Sequence, residues 1–395
     1  MEVRAGYKAT ELGAIPEDWD VIPIHQISEV VRGGSPRPAG DPRYFNGSYM
    51  PWLTVAALTN IPTSQLVVSE TATCLTEEGS LHSRTLTAGT LIIANSGATL
   101  GIAKILGIKC CANDGIAALL NLCNHVSANY VAHFINTKTS YLRNIVATGN
   151  GQPNLNTDLI GDLQVPLPPT KTEQEAIAET FSDADAFIES LGQLLAKKRD
   201  LKQGAMQELL TGKRRLPGFS GDWKMRRLAE LASLYQPQTI SQADFSPDGF
   251  PVYGANGIIG RYKFCNHNTW QITISCRGNC GTVNKTAAAS WITGNAMVVN
   301  CDHNDDVVKE FLYYLLGNQD FSILVTGSGQ PQIVRRPLAE FEVYLPADVM
   351  EQTAIAEVLT DMDADIATLE ENLAKAHNLK QGMMQELLTG RIRLA

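Results

Sequence analysis

The sequence holds no run of eighteen apolar residues, and its first stretch, MEVRAGYKATELGAIPEDWD, has no apolar core of the kind a secretory leader needs. A cytoplasmic chain without a membrane span is therefore expected. Eight cysteines in 395 residues are too sparse for a disulfide framework, so free thiols are expected. Catalytic signatures are missing as well. There is no Asp/Asn-Pro-Pro-Tyr/Phe for amino-methyl transfer, no Gly-rich methyl-donor loop after a strand, and no Gly-x4-Gly-Lys-Ser/Thr phosphate loop. Charged residues make up only 18% of the chain and the net charge is −9, which argues against a uniformly basic surface. The total conceals a local bias, because residues 196–227 gather Lys197, Lys198, Arg199, Lys202 and the run Lys213 to Arg215. That run either meets phosphates or an acidic partner surface, or is a solvated helix end.

What is present is a repeat. LKQGAMQELLTG at Leu201 to Gly212 returns as LKQGMMQELLTG at Leu379 to Gly390, an offset of 178 (379 minus 201). At the same offset TGNGQPN from Thr148 falls on TGSGQPQ from Thr326, and EQEAIAE from Glu173 falls on EQTAIAE from Glu351. Upstream, Asp18-Trp19 matches Asp222-Trp223 at an offset of 204, so the first intervening block is longer by 204 minus 178, or 26 residues. Similar frames thus hold dissimilar inserts, roughly 20–147 and 224–325. Self-similarity of this length sets the architecture before any local reading does.

The repeated blocks read as long helices. Ile177, Phe181, Ala184, Ile188, Leu191 and Leu195 recur at alternating three-and-four spacing, as do Ile355, Leu359, Met362, Ile366, Leu369 and Leu373. Thr172 with Glu175 has the pattern of a capping box, and Gly212 and Gly390 stand where a helix end takes positive φ. Each helix starts acidic and ends basic, which suits its own dipole and favours antiparallel pairing. Two such helices would be related by a pseudo-twofold axis, with the variable blocks at opposite ends. Gly204 and Gly382 interrupt the helices at about 1 kcal/mol each, so either a close backbone approach, between the helices or against a partner, or simple tolerance is expected there. In the variable blocks TLIIAN, VVSETAT, QITISC and AMVVN read as strands, and NYVAHFINTKTSYLRNIV and VVKEFLYYLLGNQDF as helices.

Laid out in this way, the chain resembles the specificity subunits of type I restriction-modification enzymes over essentially its whole length. IPEDW, PTKTEQEAIA at Pro169 to Ala178, LKQGAMQELLTGKRRLPGF at Leu201 to Phe219 and the second copies carry the resemblance. It implies an α+β chain: two target recognition domains held apart by two long antiparallel coiled-coil helices in a pseudo-twofold repeat. The expected boundaries are 1–168 and 213–346 for the domains, and 169–212 and 347–395 for the helices. It further implies double-stranded DNA with a bipartite site as ligand, and two modification subunits as partners, joined in some systems by restriction or translocase subunits. No cofactor is expected in this chain; S-adenosylmethionine belongs to the methyltransferase partner, and ATP and Mg to a restriction partner.

For base reading, polar or basic side chains in Gly-containing loops are the candidates, since Arg and Lys pair with guanine and Asn and Gln with adenine. In the first domain these are Arg32, Ser35 and Arg37 with Asn95, Ser96 and Thr99; in the second, Gln236, Gln238, Tyr253, Asn256, Arg277 and Asn279. The alternative for each is a turn residue satisfied by its own backbone. Gln152-Pro153 and Gln330-Pro331 either touch DNA or a partner or simply join domain to helix. Cys265-Asn-His267, Cys276-x3-Cys280 and Cys301-Asp-His303 lie close in sequence but have no counterpart in the first block, so no metal is expected. The rival reading is an interaction scaffold on the same helices whose end domains bind proteins.

Overall fold

The computed structural model describes residues 4–62, 64–147, 153–327 and 329–394. Four helices matter below: α1 (Ala128–Thr137), α2 (Lys171–Leu209), α3 (Lys309–Gly317) and α4 (Val349–Leu387). The chain divides into two compact units, one formed by Met1–Gln193 with Glu371–Ala395 and the other by Leu194–Glu370. Each long helix therefore contributes its first part to one unit and its last part to the other. No described helix is long and apolar enough to cross a membrane.

In the first unit a five-stranded sheet runs in the order Glu29–Arg32, Ile116–Leu120, Leu91–Ala94, Ala103–Leu106, Val67–Val68. A four-stranded sheet orders Thr73–Leu75, Phe45–Leu53, Cys110–Ala112 and Arg84–Leu86, with the second and third parallel. Gln164–Leu167 pairs with Asp20–Pro23 at the entry to α2. The second unit repeats the plan with one strand fewer in each larger sheet. Its four-stranded sheet orders Ser233–Tyr235, Ala296–Asn300, Ile272–Ser275 and Val283–Lys285; its three-stranded one orders Gly257–Tyr262, Phe250–Gly254 and Trp291–Ile292. Trp223–Arg227 pairs with Glu342–Pro346. The longer first block thus builds extra strands on a shared plan. Of the expected strands, TLIIAN, QITISC and AMVVN form as read, whereas VVSETAT is interrupted, pairing only at Val67–Val68 and Thr73–Leu75.

The twelve seam positions of the long helices are all buried or half-buried, while Phe187, between two of them, and Leu201 and Leu379, beyond the last of each, are exposed. In the first unit Ile177 and Phe181 share a core with Trp19, Leu387 and Leu388; in the second Ile355 and Leu359 share one with Leu209, Leu210 and Leu228. The start of one helix therefore packs on the end of the other, as the charge gradient requires. Fully burying side chains of this size stabilises by about 1.5–3 kcal/mol each.

Polar residues of the repeat hold that packing in register. Glu173 is buried and accepts from Arg393 at 2.8 Å, and Arg393 also grips Asp18 at 2.9 and 3.0 Å while lying over the Trp19 ring. The second unit does the same with Glu351, which is fully buried, and Arg215 at 2.6 Å over Trp223. Hydrogen bonding to the carboxylates pushes both guanidinium pKa values upward. Farther along, Lys380 pairs with Asp185, and Lys202 with Asp363. Each pair maps onto the other at the 178 offset. Lys202, where the apolar seam falters, is thus a half-buried partner rather than a gap.

The neighbouring glutamine of the repeated Glu-Gln has a different task. The Gln174 amide accepts from Ser127 N–H at 2.8 Å and donates to His125 and Pro168 carbonyls, and Gln352 accepts from Val308 N–H at 2.8 Å and donates to Asp306 and Pro346. One buried amide thereby ties α1 or α3 and the preceding strand to the long helix.

Two expectations need correction. The helix cap is Thr170, whose hydroxyl accepts from Glu173 N–H at 3.2 Å; Thr172 already lies within α2. The Pro168-Pro169 pair delivers the chain to the first turn earlier than the spacing suggested. A Cβ on Gly204 or Gly382 would meet nothing within 4 Å, so no close approach between the helices occupies those positions. Gly212 and Gly390 do take positive φ, at 70° and 65°, and a Cβ on Gly390 would strike Pro16 at 2.4 Å.

Replacing Arg215 by Met should destabilise the protein by about 3–5 kcal/mol, because it strands a buried carboxylate. Gln352→Ala should cost on the order of 2–3 kcal/mol through unsatisfied buried groups. Urea unfolding measures both, and changes below about 1 kcal/mol would remove the locking role.

Candidate nucleic-acid interface

Both units build one loop in the same way. In the first, strand Leu91–Ala94 leaves the sheet through residues 95–102 and returns as Ala103–Leu106. Gly97 and Gly101 turn it at φ 77° and 85°, a region costly for any residue with a Cβ. Ser96 bridges antiparallel to Asn154, and Leu155 N–H donates to the Asn95 carbonyl at 2.8 Å. In the second, Ile272–Ser275 leaves through 276–282 and returns as Val283–Lys285, turning at Gly278 and Gly281 (φ 71° and 89°). Arg277 bridges to Gln332, and Ile333 N–H donates to the Cys276 carbonyl at 3.1 Å. The segment after each Gln-Pro is thus stitched to the edge of this loop. Gln152 itself lies outside the described residues.

The remaining first-unit candidates converge on one residue that the sequence did not single out. Arg32 Nε donates to the Asp114 carbonyl, Ser35 Oγ donates to its carboxylate at 2.7 Å, and Arg37 Nη2 reaches the other carboxylate oxygen at 3.3 Å. The Ser35 hydrogen bond, against a desolvation penalty, holds the Asp114 pKa below the usual carboxylate range, with its own backbone and Arg32 and Arg37 adding to the effect. Asn95 Nδ2 also donates to the Asp114 carbonyl, at 3.3 Å. Gly33 permits the arrangement, since a Cβ there would stand 2.2 Å from the Asn113 carbonyl oxygen. The only sequence signal for Asp114 was the turn Asn113-Asp114-Gly115 between apolar strands, which reads as an ordinary connection.

Exposure separates the candidates further. Arg32, Arg37, Gln236, Gln238, Asn256, Arg277 and Asn279 are exposed, and Ser35 and Ser96 half-buried. Asn95, Thr99 and Tyr253 are 2%, 6% and 9% exposed, the last within the strand Phe250–Gly254, so none of the three is open to a base. Tyr253 instead accepts a hydrogen bond from Ala287 N–H at 2.9 Å. Gln236 donates to the Gly294 carbonyl at 3.0 Å, and the carbonyl of Gln238 accepts from Trp291. Asn256, by contrast, turns its amide toward Gly278, 3.7 Å from where a Cβ would stand.

Among the described residues no group of three His, Cys, Asp or Glu is placed to hold a metal, and all eight cysteines are unpaired. Burial pushes the Cys276 and Cys301 thiols up to about 11.

The family model for the type I restriction modification DNA specificity domain matches twice, over residues 16–197 and 220–377. The chain belongs to that family. Specificity subunits similar to it include the MjaVIII subunit of Methanocaldococcus jannaschii, 22% identical with 96% of this chain and 94% of that protein covered. The EcoKI subunit of Escherichia coli K12 is 21% identical over 96% and 90%. Among solved structures, the S subunit of a type I system from M. genitalium superposes with a TM-score of 0.65 at 14% identity, covering 98% of each chain. That likeness is one of fold, over nearly the whole of both chains. The scaffold reading finds no support among these relatives.

Proposed function

We propose that this specificity subunit reads a bipartite site in duplex DNA, one half-site by each globular domain (1–168 and 213–346), while the helical segments 169–212 and 347–395 set the spacing. The observation that supports it best is the loop anchored in the same way in both units and furnished differently: Asn95-Ser96 in one and Cys276-Arg277 in the other. A shared anchoring with exchanged side chains suits the reading of two different half-sites, since phosphate contacts position and base-edge contacts specify.

The chain acts without chemistry of its own. Two modification subunits dock on the helices and transfer methyl groups from S-adenosylmethionine; a restriction subunit, where the system has one, brings ATP and Mg. The work takes place in the cytoplasm, where the DNA is. The docking face contains Leu201-Gly204 and its copy Leu379-Gly382, exposed leucines 53% and 66% accessible beside exposed helix glycines. A glycine kept at a helix cost in both copies, with nothing of its own chain against it, suits a backbone approached from outside.

Two measurements test these assignments. The complex with its methyltransferase should bind duplex DNA with log affinity falling linearly in log salt, at about 0.9 per phosphate neutralised; no binding, or binding indifferent to salt, would sink the DNA reading. Gly204→Ala and Gly382→Ala should each raise helix stability by up to about 1 kcal/mol while weakening assembly with the modification subunit, read by titration calorimetry. Unchanged assembly would show that the glycines are merely tolerated.

A further inference from the structure

In the second unit an open cleft of about 490 Å³ lies between the 276–282 loop and the segment around Gln330, lined by Arg277, Gly278, Asn295, Gln330 and Pro331, with Ala255 at its rim. Two of those walls come from glycine and proline, so the backbone is bare on one side and stiff on the other. Among the described residues the side chains of Arg277, Asn295 and Gln330 make no hydrogen bond or ion pair, and neither do those of Asn256, Asn279 and Gln332 around them, whereas Gln236 is committed to the Gly294 carbonyl.

The position of the cleft is held from below. The Arg277–Gln332 bridge and the Ile333-to-Cys276 hydrogen bond fasten the Gln330 segment to the loop, and Thr326 and Gln332 exchange backbone hydrogen bonds at 2.9 Å that close the turn carrying Gln330. Arg277 and Gln330 therefore line one cleft from two segments fastened to each other. Rigid support with unspent donors and acceptors is how a specific site is built.

We infer that Arg277 and Gln330 together form the base-reading pair of the second domain, recognising adjacent purines in the major groove, guanine by Arg277 and adenine by Gln330. The inference rests on the DNA-reading function proposed above and adds the repeat's Gln-Pro segment to it. A guanidinium offers two parallel donors to guanine O6 and N7, and a carboxamide offers one acceptor and one donor to adenine N6 and N7. The missing side chain at Gly278 lets the groove edge approach the backbone between them.

The test measures methylation rates of the complex with its methyltransferase on duplexes altered one base pair at a time. Arg277→Ala and Gln330→Ala are expected to lower discrimination at neighbouring positions of one half-site by on the order of ten- to a hundredfold, leaving the other half-site as in the wild type. Gln330→Glu, which exchanges a donor for an acceptor at equal size, is expected to shift preference at its position from adenine toward cytosine. Wild-type discrimination in all three variants overturns the assignment while leaving the DNA-reading function standing. If an Ala variant loses methylation entirely, an unchanged base preference in Gln330→Glu overturns it as well. A wild-type complex that distinguishes no half-sites would overturn both.

Discussion

Two buried carboxylates hold this molecule to its plan. Glu173 and Glu351 sit in the first turns of the long helices, out of water, and each is neutralised by an arginine from just beyond the far end of the other helix, Arg393 and Arg215. An ion taken out of water costs several kcal/mol, and only a well-placed counter-ion with further hydrogen bonds offsets it. The helix start is therefore stable only when the other helix end has arrived. The Trp19 and Trp223 rings beneath the guanidinium groups, and the glycines at 390 and 212 that clear room for them, follow from the same requirement. It also explains why the last residues of the chain complete the first unit rather than trailing from the second.

This constraint separates two kinds of residue. Those that close the frame, Glu-Gln at the helix start and Lys, Gly and Arg at its end, occur twice because each unit needs them. Those on the 95–102 and 276–282 loops differ, since the strands and the bridging segment anchor the loop whatever side chains it carries; Gln330, though a member of the repeat, stands at the edge of the second of these loops. A specificity subunit needs that division, because a change of reading residues must leave docking and spacing untouched.

The frame was largely legible in the sequence, because repetition and a three-and-four apolar spacing are long-range signals that survive local noise. Gly212 and Gly390 announced their positive φ, and the strands Leu91–Ala94 and Ala296–Asn300 followed from β-branched runs between turns. Pairing was less visible. Glu173 and Gln174 look alike as polar residues in a first turn, yet one closes an ion pair with a residue more than two hundred positions away and the other ties three backbone groups together. Candidate reading residues were the least legible. Tyr253 and Asn95 have suitable chemistry but point inward, and Asp114, which organises Arg32, Ser35 and Arg37, hides in an ordinary Asn-Asp-Gly turn. Side-chain direction depends on sheet register, which residue type alone does not encode.

Two differently furnished domains of one chain should read two separated pieces of DNA. The most direct test is to express the chain with its methyltransferase in a methylation-free host and locate modified adenines across the genome by single-molecule sequencing. One motif split into two unlike parts by a gap of fixed length is expected. A contiguous motif, or a gap that varies from site to site, would contradict it.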